Sequence, residues 1–255
     1  MSMLPILALV LVLSVAAQAQ EITIAAAADL STALPEIAAS YTKQTGQTVK
    51  LSFGSSGNLT TQIQNGAPFD VFFSADEDYP KQLIEKGLAD KDTLYRYAVG
   101  RLVLWVPNAS QVNLQKLGIW AMLDPSIKKI AIANPAHAPY GRAAEAALKH
   151  FAIYDQVATK LVFGENVAQA SQFVESGNAQ AGLIALSSAL APAMKDKGRY
   201  WIVPPDSYPA LNQAAVVLSR SKQKDAARRF LEFLRSPEAT AILKNYGFNL
   251  PAEAR

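Results

Sequence analysis

Two short segments of this chain combine small residues with hydroxyl groups, and both could donate hydrogen bonds to an anion. One reads AAAADLS over residues 25–31, and the other reads FGSSGN over residues 53–58. Each follows a strand-like apolar run and precedes a helical pattern, so free N–H groups and the positive end of a helix dipole would face the same space. The two glycines of the second segment would let an anion approach the backbone closely, and its two serines would add hydroxyl donors.

Ordinary structural roles explain the same residue types, and the sequence leaves that alternative open. Asp29, Ser31 or Thr32 could cap a helix after the first segment, and a Gly-Ser-Ser-Gly run is also typical of a simple turn. The second segment is not a P-loop, because no Gly-Lys-Ser/Thr follows it. It is not the nucleophile elbow of α/β hydrolases either, because Asn58 stands where that motif requires glycine.

Two further loops have the same character. The segment NPAHAPYGR, residues 134–142, contains two prolines that restrict the path of the chain, and a helix is predicted to begin near Tyr140. Residues 165–167, Glu-Asn-Val, open another predicted helix. Four helix N-termini would thus follow four strands, and they would be shared equally between two lobes if the chain forms two lobes. If they converge, they form a site of neutral donors for an anion.

Residues for metal binding or nucleophilic catalysis are sparse. The chain has two histidines, His137 and His150, and no cysteine, which is a poor set of zinc ligands. We expect His137 to be a loop side chain, because no partner for it is visible in the sequence. The acidic run at residues 76–78 is expected to open a helix. A secreted hydrolase with Ser56 as nucleophile is the alternative from another functional class, and it lacks a visible activating base.

The composition excludes several classes of protein. Of the 255 residues, 50% are hydrophobic and 18% are charged, which excludes a disordered chain. The net charge of +3 comes without a dense basic stripe, so we expect no nucleic-acid partner.

The order of apolar runs predicts an α/β fold. Between residues 22 and 87, β-branched runs alternate with helical stretches, which favours a parallel sheet covered by helices. The apolar stretch at residues 93–106 is interrupted by Gly100, and we interpret it as two strands, or one bent strand, passing between two lobes. Residues 214–218 would return the chain to the first lobe, and a helix is predicted over residues 187–195. Ligands of such open sheets bind at the carboxyl ends of strands.

The N-terminal residues have the pattern of a secretory signal peptide. Residues 4–16 read LPILALVLVLSVA without a charge, and Ala17-Gln18-Ala19 has the small-x-small pattern of a cleavage site. The apolar run is shorter than the roughly 20 residues that a membrane anchor needs. We therefore expect residues 1–19 to be removed and the protein to be exported to the periplasm.

Several of these segments together carry a resemblance to a known family. They are AAAADLSTALPEIA (25–38), FGSSGNLTTQI (53–63), NGAPFDVFFSADE (65–77), NPAHAPYGRAAEAAL (134–148) and GENVAQA (164–170). On these stretches the chain resembles the periplasmic molybdate-binding proteins of ABC transporters. The resemblance extends from about Ile22 to the YGFNLP at residues 246–251.

The resemblance implies a fold and a function. The implied fold is the two-lobed, type II periplasmic binding protein, each lobe a mostly parallel sheet flanked by helices, with two crossing strands as hinge. Residues 20–101 and 209–255 would form lobe 1, and residues 102–208 would form lobe 2. The implied function is binding without catalysis and without a cofactor: a monomer captures molybdate or tungstate between its lobes and delivers the oxyanion to an ABC permease in the inner membrane.

The resemblance also implies the residues that contact the ligand. Carried over by position, they are the N–H groups of Ala28 and Asp29, the hydroxyl and N–H of Ser56, the side chain of Tyr140 and the N–H of Val167. These groups would contact molybdenum only through the oxygens of the oxyanion. Many members of the family have a tyrosine where this chain has Ala185, and Tyr140 matches the branch that supplies it from the other loop.

Asp29 departs from the family pattern, in which Ser or Asn is common at this position. A carboxylate accepts hydrogen bonds and donates none, so a carboxylate directed at a dianion would be costly. Three interpretations stay open: Asp29 caps the helix and presents only its N–H, it accepts a proton from an oxyanion such as hydrogen phosphate, or the ligand is a different one. The functional alternatives are accordingly a binding protein for phosphate or sulfate, and an adhesion or sensor protein that keeps the fold without transport.

Overall fold

The structure, a computed structural model, describes residues 21–251; the predicted signal peptide at residues 1–19 lies outside this range. The strands in the described range are β1 (Ile22–Ala27), β2 (Val49–Gly54), β3 (Val71–Ser74), β4 (Tyr95–Gly100), β5 (Leu102–Pro107), β6 (Ile130–Ala133), β7 (Leu161–Gly164), β8 (Ala181–Ala185), β9 (Gly198–Ile202) and β10 (Leu211–Val217). They form two five-stranded sheets, in the orders β2-β1-β3-β10-β4 and β7-β6-β8-β5-β9. We call the parts built on them the first and the second lobe.

The helices cover both sheets. They are α1 (Ala33–Thr45), α2 (Ser56–Gln64), α3 (Asp78–Glu85), α4 (Leu114–Leu117), α5 (Pro139–His150), α6 (Tyr154–Val157), α7 (Val167–Glu175), α8 (Leu186–Ala189), α9 (Lys224–Phe233) and α10 (Pro237–Asn245). Among residues 21–251, none combines the length and hydropathy that a bilayer-spanning helix requires.

Each sheet is mostly parallel, as expected: four of its five strands point the same way, and one strand, β10 or β5, runs antiparallel to its neighbours. In the first lobe β1 pairs in parallel with β2 and β3, whereas β10 pairs antiparallel with β3 and β4. The second lobe repeats this pattern, with β6 parallel to β7 and β8, and β5 antiparallel to β8 and β9. The antiparallel pairings all involve β5 or β10, the strands that follow the two crossings between the lobes. These strands enter their sheets directly after a crossing, without the helical connection that a parallel pairing requires.

The chain crosses between the lobes twice. The first crossing is at Arg101, between β4 and β5, so the predicted long apolar stretch is indeed two strands. The second crossing leads from β9 to β10. Two short connections of this kind are the usual arrangement of a hinge.

The core of the first lobe lies on both faces of its sheet. On one face α1, α9 and α10 cover the sheet, and Phe230 packs between Tyr41 and Phe73, with ring centroids 5.1 and 6.2 Å apart. On the other face α2 and α3 bury a smaller cluster around Phe72 and Leu83. A parallel β1 buried on both faces explains why residues 22–27 are apolar or small almost without interruption.

One predicted helix is wrong. The expected helix at 187–195 is limited to Leu186–Ala189, and turns follow it. Pro192 explains the early end, because proline has no N–H to donate to the preceding turn and its ring clashes with that turn. The helices predicted near Tyr140, at residues 165–167 and at residues 76–78 begin at Pro139, Val167 and Asp78.

We predict that Phe230→Ala destabilises the first lobe by about 3–5 kcal/mol, because it leaves a cavity among aromatic rings that are fully buried. Denaturant unfolding followed by tryptophan and tyrosine fluorescence measures this loss. The matched control is Phe53→Ala in the same lobe, whose side chain is 37% exposed and should lose far less stability. Equal losses in the two variants would contradict this description of the core.

Candidate anion-binding site

A small cavity lies between the lobes, at the carboxyl ends of strands from both sheets. The first lobe contributes Ala27–Asp29, Gly54–Ser56 and Ala75, and the second contributes Ala138–Tyr140 and Asn166–Val167. The four helix starts singled out in the sequence therefore converge on one space.

The helix starts present backbone donors to this cavity. Ala28 and Asp29 open a 3-10 helix, Ser56 is the first residue of α2, and Val167 is the first residue of α7. N–H groups in the first turn of a helix have no partner within that helix. Asn166 accepts a hydrogen bond from the N–H of Gln169 at 3.0 Å, which caps α7 through its third residue and leaves the first N–H groups for another acceptor.

The hydroxyl of Ser56 is held in place as a donor. Its Oγ accepts a hydrogen bond from the N–H of Ala75 at 3.0 Å, and Ser56 is 1% exposed. Because the oxygen already accepts from the backbone, the hydroxyl proton is free to be donated.

The residues that line the cavity include no lysine, arginine or histidine. Charge complementarity for an anion would come from N–H groups, hydroxyls and the positive ends of helices.

Asp29 lies at the cavity with its side chain buried. Oδ2 accepts a hydrogen bond from Nε2 of Gln213, whereas Oδ1 is buried and has no partner among the described residues. Burial raises the pKa of this carboxyl from 3.8 to about 6, against the opposing effects of Gln213, Tyr140 and its own backbone N–H. The side chain caps neither the 3-10 helix nor α1, so the capping interpretation is wrong. The carboxylate is instead hydrogen-bonded to Gln213 of β10, a donor that is far away in sequence.

A polar network around Asp29 links the two lobes. Tyr97 of β4 donates its hydroxyl proton to Oε1 of Gln213 at 2.7 Å, and Nε2 of Gln213 lies 3.4 Å from the hydroxyl of Tyr140 in the second lobe. Burial raises the pKa of both tyrosines well above 10, and the charge of Asp29 acts in the same direction. Both phenols therefore stay protonated and can act as donors.

Direct hydrogen bonds between the lobes show that the molecule is closed. The N–H of Gly57 donates to the carbonyl oxygen of His137 at 2.9 Å, and the hydroxyl of Ser187 donates to the carbonyl oxygen of Asp29 at 2.7 Å. At the edge of the cleft, Arg142 forms an ion pair with Asp76, with 2.5 Å between Nη2 and Oδ2.

His137 is a loop side chain, as expected, and it has a partner that the sequence did not reveal. Its Nδ1 lies 2.9 Å from Oγ of Ser55 in the first lobe, and its Nε2 lies 3.7 Å from a carboxylate oxygen of Glu165. The partner across the cleft is 82 residues away in sequence, so sequence spacing could not reveal it. The histidine contacts Ser55 and not Ser56, so it does not supply the base that a hydrolase using Ser56 would need.

The acidic run at residues 76–78 opens a helix as predicted. Oδ1 of Asp76 accepts a hydrogen bond from the N–H of Tyr79 at 3.2 Å, and α3 begins at Asp78. The second role of Asp76, the ion pair with Arg142 of the other lobe, was not predicted.

Comparison with known families matches residues 22–249 to the bacterial extracellular solute-binding proteins. This chain belongs to that family. The molybdate-binding protein ModA of Rhodobacter capsulatus is 40% identical over 242 residues, which cover 95% of this chain and 93% of that protein. ModA of Azotobacter vinelandii is 40% identical over 238 residues, with 93% of each chain covered.

A solved structure agrees with the architecture. The periplasmic molybdate-binding protein of Azotobacter vinelandii superposes with a TM-score of 0.85 at 36% sequence identity, over 91% of this chain and 100% of that one. The expected two-lobed periplasmic binding protein fold, with a mostly parallel sheet in each lobe, is therefore confirmed.

The structure brings the predicted contact residues of this solute-binding protein together. Ala28, Asp29, Ser56, Tyr140 and Val167 all line the one cavity. Ala185 is fully buried at the end of β8 and does not line the cavity. The residue that sequence reasoning missed is Gln213, which is fully buried and joins Asp29 to both tyrosines. The signal in the sequence was a glutamine that stands directly before the apolar run AAVV of β10.

Gly57 permits a close approach between the backbones of the two lobes. A Cβ at this position would lie 2.7 Å from the carbonyl oxygen of His137 and 2.6 Å from the hydroxyl of Tyr79. We predict that Gly57→Ala prevents full closure while each lobe stays folded, because the clash with His137 is between lobes. Small-angle X-ray scattering should show a larger radius of gyration than that of the wild type in the same buffer.

The control for this prediction is Gly54→Ala in the same loop. Its Cβ would meet only the side chain of Leu59 in its own lobe, at 3.2 Å, so the scattering profile should match that of the wild type. An unchanged radius for Gly57→Ala would show that the contact with His137 does not control closure.

Proposed function

We propose that this protein captures molybdate, and tungstate with it, in the cavity between the lobes and delivers the oxyanion to an ABC permease. The observation that carries the proposal is the convergence of helix N-termini and hydroxyls from both lobes on one cavity whose lining has no cationic side chain. A fully ionised molybdate has two negative charges and no proton at neutral pH, so a site of donors suits it. The relatives named molybdate-binding proteins support this choice of ligand.

The proposed contacts are those on which the two lobes converge. They are the N–H groups of Ala28 and Asp29, the hydroxyl and N–H of Ser56, the hydroxyl of Tyr140 and the N–H of Val167. Hydrogen bonds to a charged group contribute about 1.5–3 kcal/mol each. Five to seven of them would supply the roughly 8–12 kcal/mol of a micromolar to nanomolar site after the costs of association. No group would coordinate the metal atom, because the oxygens of the ion surround it.

The proposal includes the division of the molecule and its place in the cell. Residues 20–101 and 209–255 move as lobe 1 and residues 102–208 as lobe 2, and an ion that contacts both favours the closed form. The protein acts in the periplasm as a monomer after removal of residues 1–19, and the permease receives the ion there. In this proposal the protein binds without catalysis and without a cofactor: Oγ of Ser56 accepts from a backbone N–H, and His137 contacts Ser55 instead.

Asp29 favours a second candidate ligand, hydrogen phosphate. A carboxylate is an acceptor, and hydrogen phosphate has a proton to donate to it, whereas molybdate has none. Sulfate, a dianion without a proton, gains nothing from this residue.

A panel of oxyanions tests the proposal. Thermal unfolding is measured with molybdate, tungstate, sulfate and phosphate at equal concentration. A ligand that binds only the folded state raises the melting temperature in proportion to RT ln(1 + [L]/Kd). We expect molybdate and tungstate to give the largest shifts. Phosphate giving the largest shift would favour the second candidate, and no shift with any of the four would refute the proposal.

We predict that Ser56→Ala weakens molybdate binding by about 1.5–3 kcal/mol, roughly 10- to 150-fold in Kd, because a hydroxyl donor to a charged ion is lost. Isothermal titration calorimetry measures the change. Ser207→Ala is the matched control: this serine is also buried, donates to the carbonyl oxygen of Pro204 and lies outside the cavity. Unchanged affinity in Ser56→Ala would remove the hydroxyl from the site.

A further inference from the structure

The hydrogen-bonding groups around Asp29 leave one donor to be shared. Both ends of the Gln213 amide are committed, Oε1 to Tyr97 and Nε2 to Asp29. The hydroxyl of Tyr140 lies near Nε2 of Gln213 as an acceptor, so its single proton is the remaining donor. The ionised carboxylate of Asp29 and an oxyanion in the cavity would compete for that proton.

No cation in the described part of the chain offsets the carboxylate. The elements packed around Asp29 present the phenols of Tyr97 and Tyr140, the neutral Gln213 and the hydroxyl of Ser187. Farther out, the charge of Asp76 acts on Tyr97, and Tyr208 faces Tyr140. The nearby Arg142 is already paired with Asp76.

Strand β2 and helix α7 also contact the 3-10 helix that contains Asp29, and their charged side chains lie at the ends away from it. Lys50 of β2 lies beside Thr23, whereas the 3-10 helix follows Ala27. Glu175 is the last residue of α7, which begins at the cavity. A bound dianion and an ionised Asp29 would thus place three negative charges in one buried space with neutral donors alone.

We propose that Asp29 takes up one proton from solvent when the cavity binds a tetrahedral dianion, so that oxyanion capture is coupled to protonation of this carboxyl. The inference rests on the proposed function. The proton goes to Oδ1, the oxygen without a partner, and the charge in the site falls from three to two. The neutral acid then becomes a donor, and the hydroxyl of Tyr140, which keeps its proton, can donate its hydrogen bond to the anion.

The proton uptake determines how the affinity for the anion changes with pH. Burial raises the pKa of Asp29 to about 6 before any anion binds, so the free protein is already mostly protonated below that pH and its affinity there is independent of pH. Above it, each molecule that binds must take up a proton. Affinity then falls about tenfold for each pH unit, until the pKa of the anion-bound form is reached.

Calorimetry with sodium molybdate in buffers of different ionisation enthalpy measures this uptake directly. At about pH 7.5 we expect close to one proton per bound ion in the wild type, and a log Kd that rises with a slope near one between about pH 7 and 9. In Asp29→Asn the uptake should be close to zero and Kd should be independent of pH. An infrared difference spectrum of the wild type should show a protonated carboxylic acid appearing on addition of molybdate.

Asp70→Asn is the matched control. This buried carboxylate of the same lobe accepts from the N–H of Thr23 and the hydroxyl of Ser221 and does not line the cavity, so its variant should keep the wild-type proton uptake. Wild-type protein that binds molybdate without proton uptake would overturn the inference and leave the proposed function intact. Uptake that persists in a folded Asp29→Asn would overturn it too, and if that variant fails to fold, the wild-type buffer series and the infrared band decide. If no oxyanion binds at any pH, both proposals fall.

Discussion

A buried anion without a cationic partner is the constraint on which the candidate site depends. Charged groups are costly to bury unless other groups compensate for the lost water. In this cavity the proposed compensation comes from backbone N–H groups at helix starts and from hydroxyls among the lining residues. Neutral donors of this kind can stabilise a dianion without a lysine or arginine whose own charge would have to be buried in the empty state.

Closure completes the site, because neither lobe has all the donors. The first lobe presents Ala28, Asp29 and Ser56, and the second presents Tyr140 and Val167. Contacts outside the cavity then hold the lobes together, among them the backbone hydrogen bond from Gly57 to His137 and the ion pair between Asp76 and Arg142. Binding and lobe movement are therefore linked: an ion that contacts both halves stabilises the closed arrangement.

Asp29 and Gln213 give this chain a feature that a site of donors alone would not have. The buried carboxyl is an acceptor at a place where an anion needs donors. Its burial is partly compensated because Nε2 of Gln213 donates a hydrogen bond to Oδ2. Burial raises its pKa towards neutrality, which makes the protonated, donor-competent form accessible. Such a group can adjust its charge to the charge of the ligand, which an asparagine in the same position cannot do.

Local patterns were enough to predict the strands, the four helix starts and the two crossings between lobes, because periodicity and turn residues act over a few neighbours. The contact residues Ala28, Asp29, Ser56, Tyr140 and Val167 came from the resemblance to the molybdate-binding family and not from local patterns. The tertiary structure alone decided three features. They are the antiparallel pairing of β5 with β8 and of β10 with β3, the contact of His137 with Ser55, and the hydrogen bond from Gln213 to Asp29. Each of these joins residues distant in the chain, and a side chain's type and neighbours do not specify which distant group the fold will bring to it.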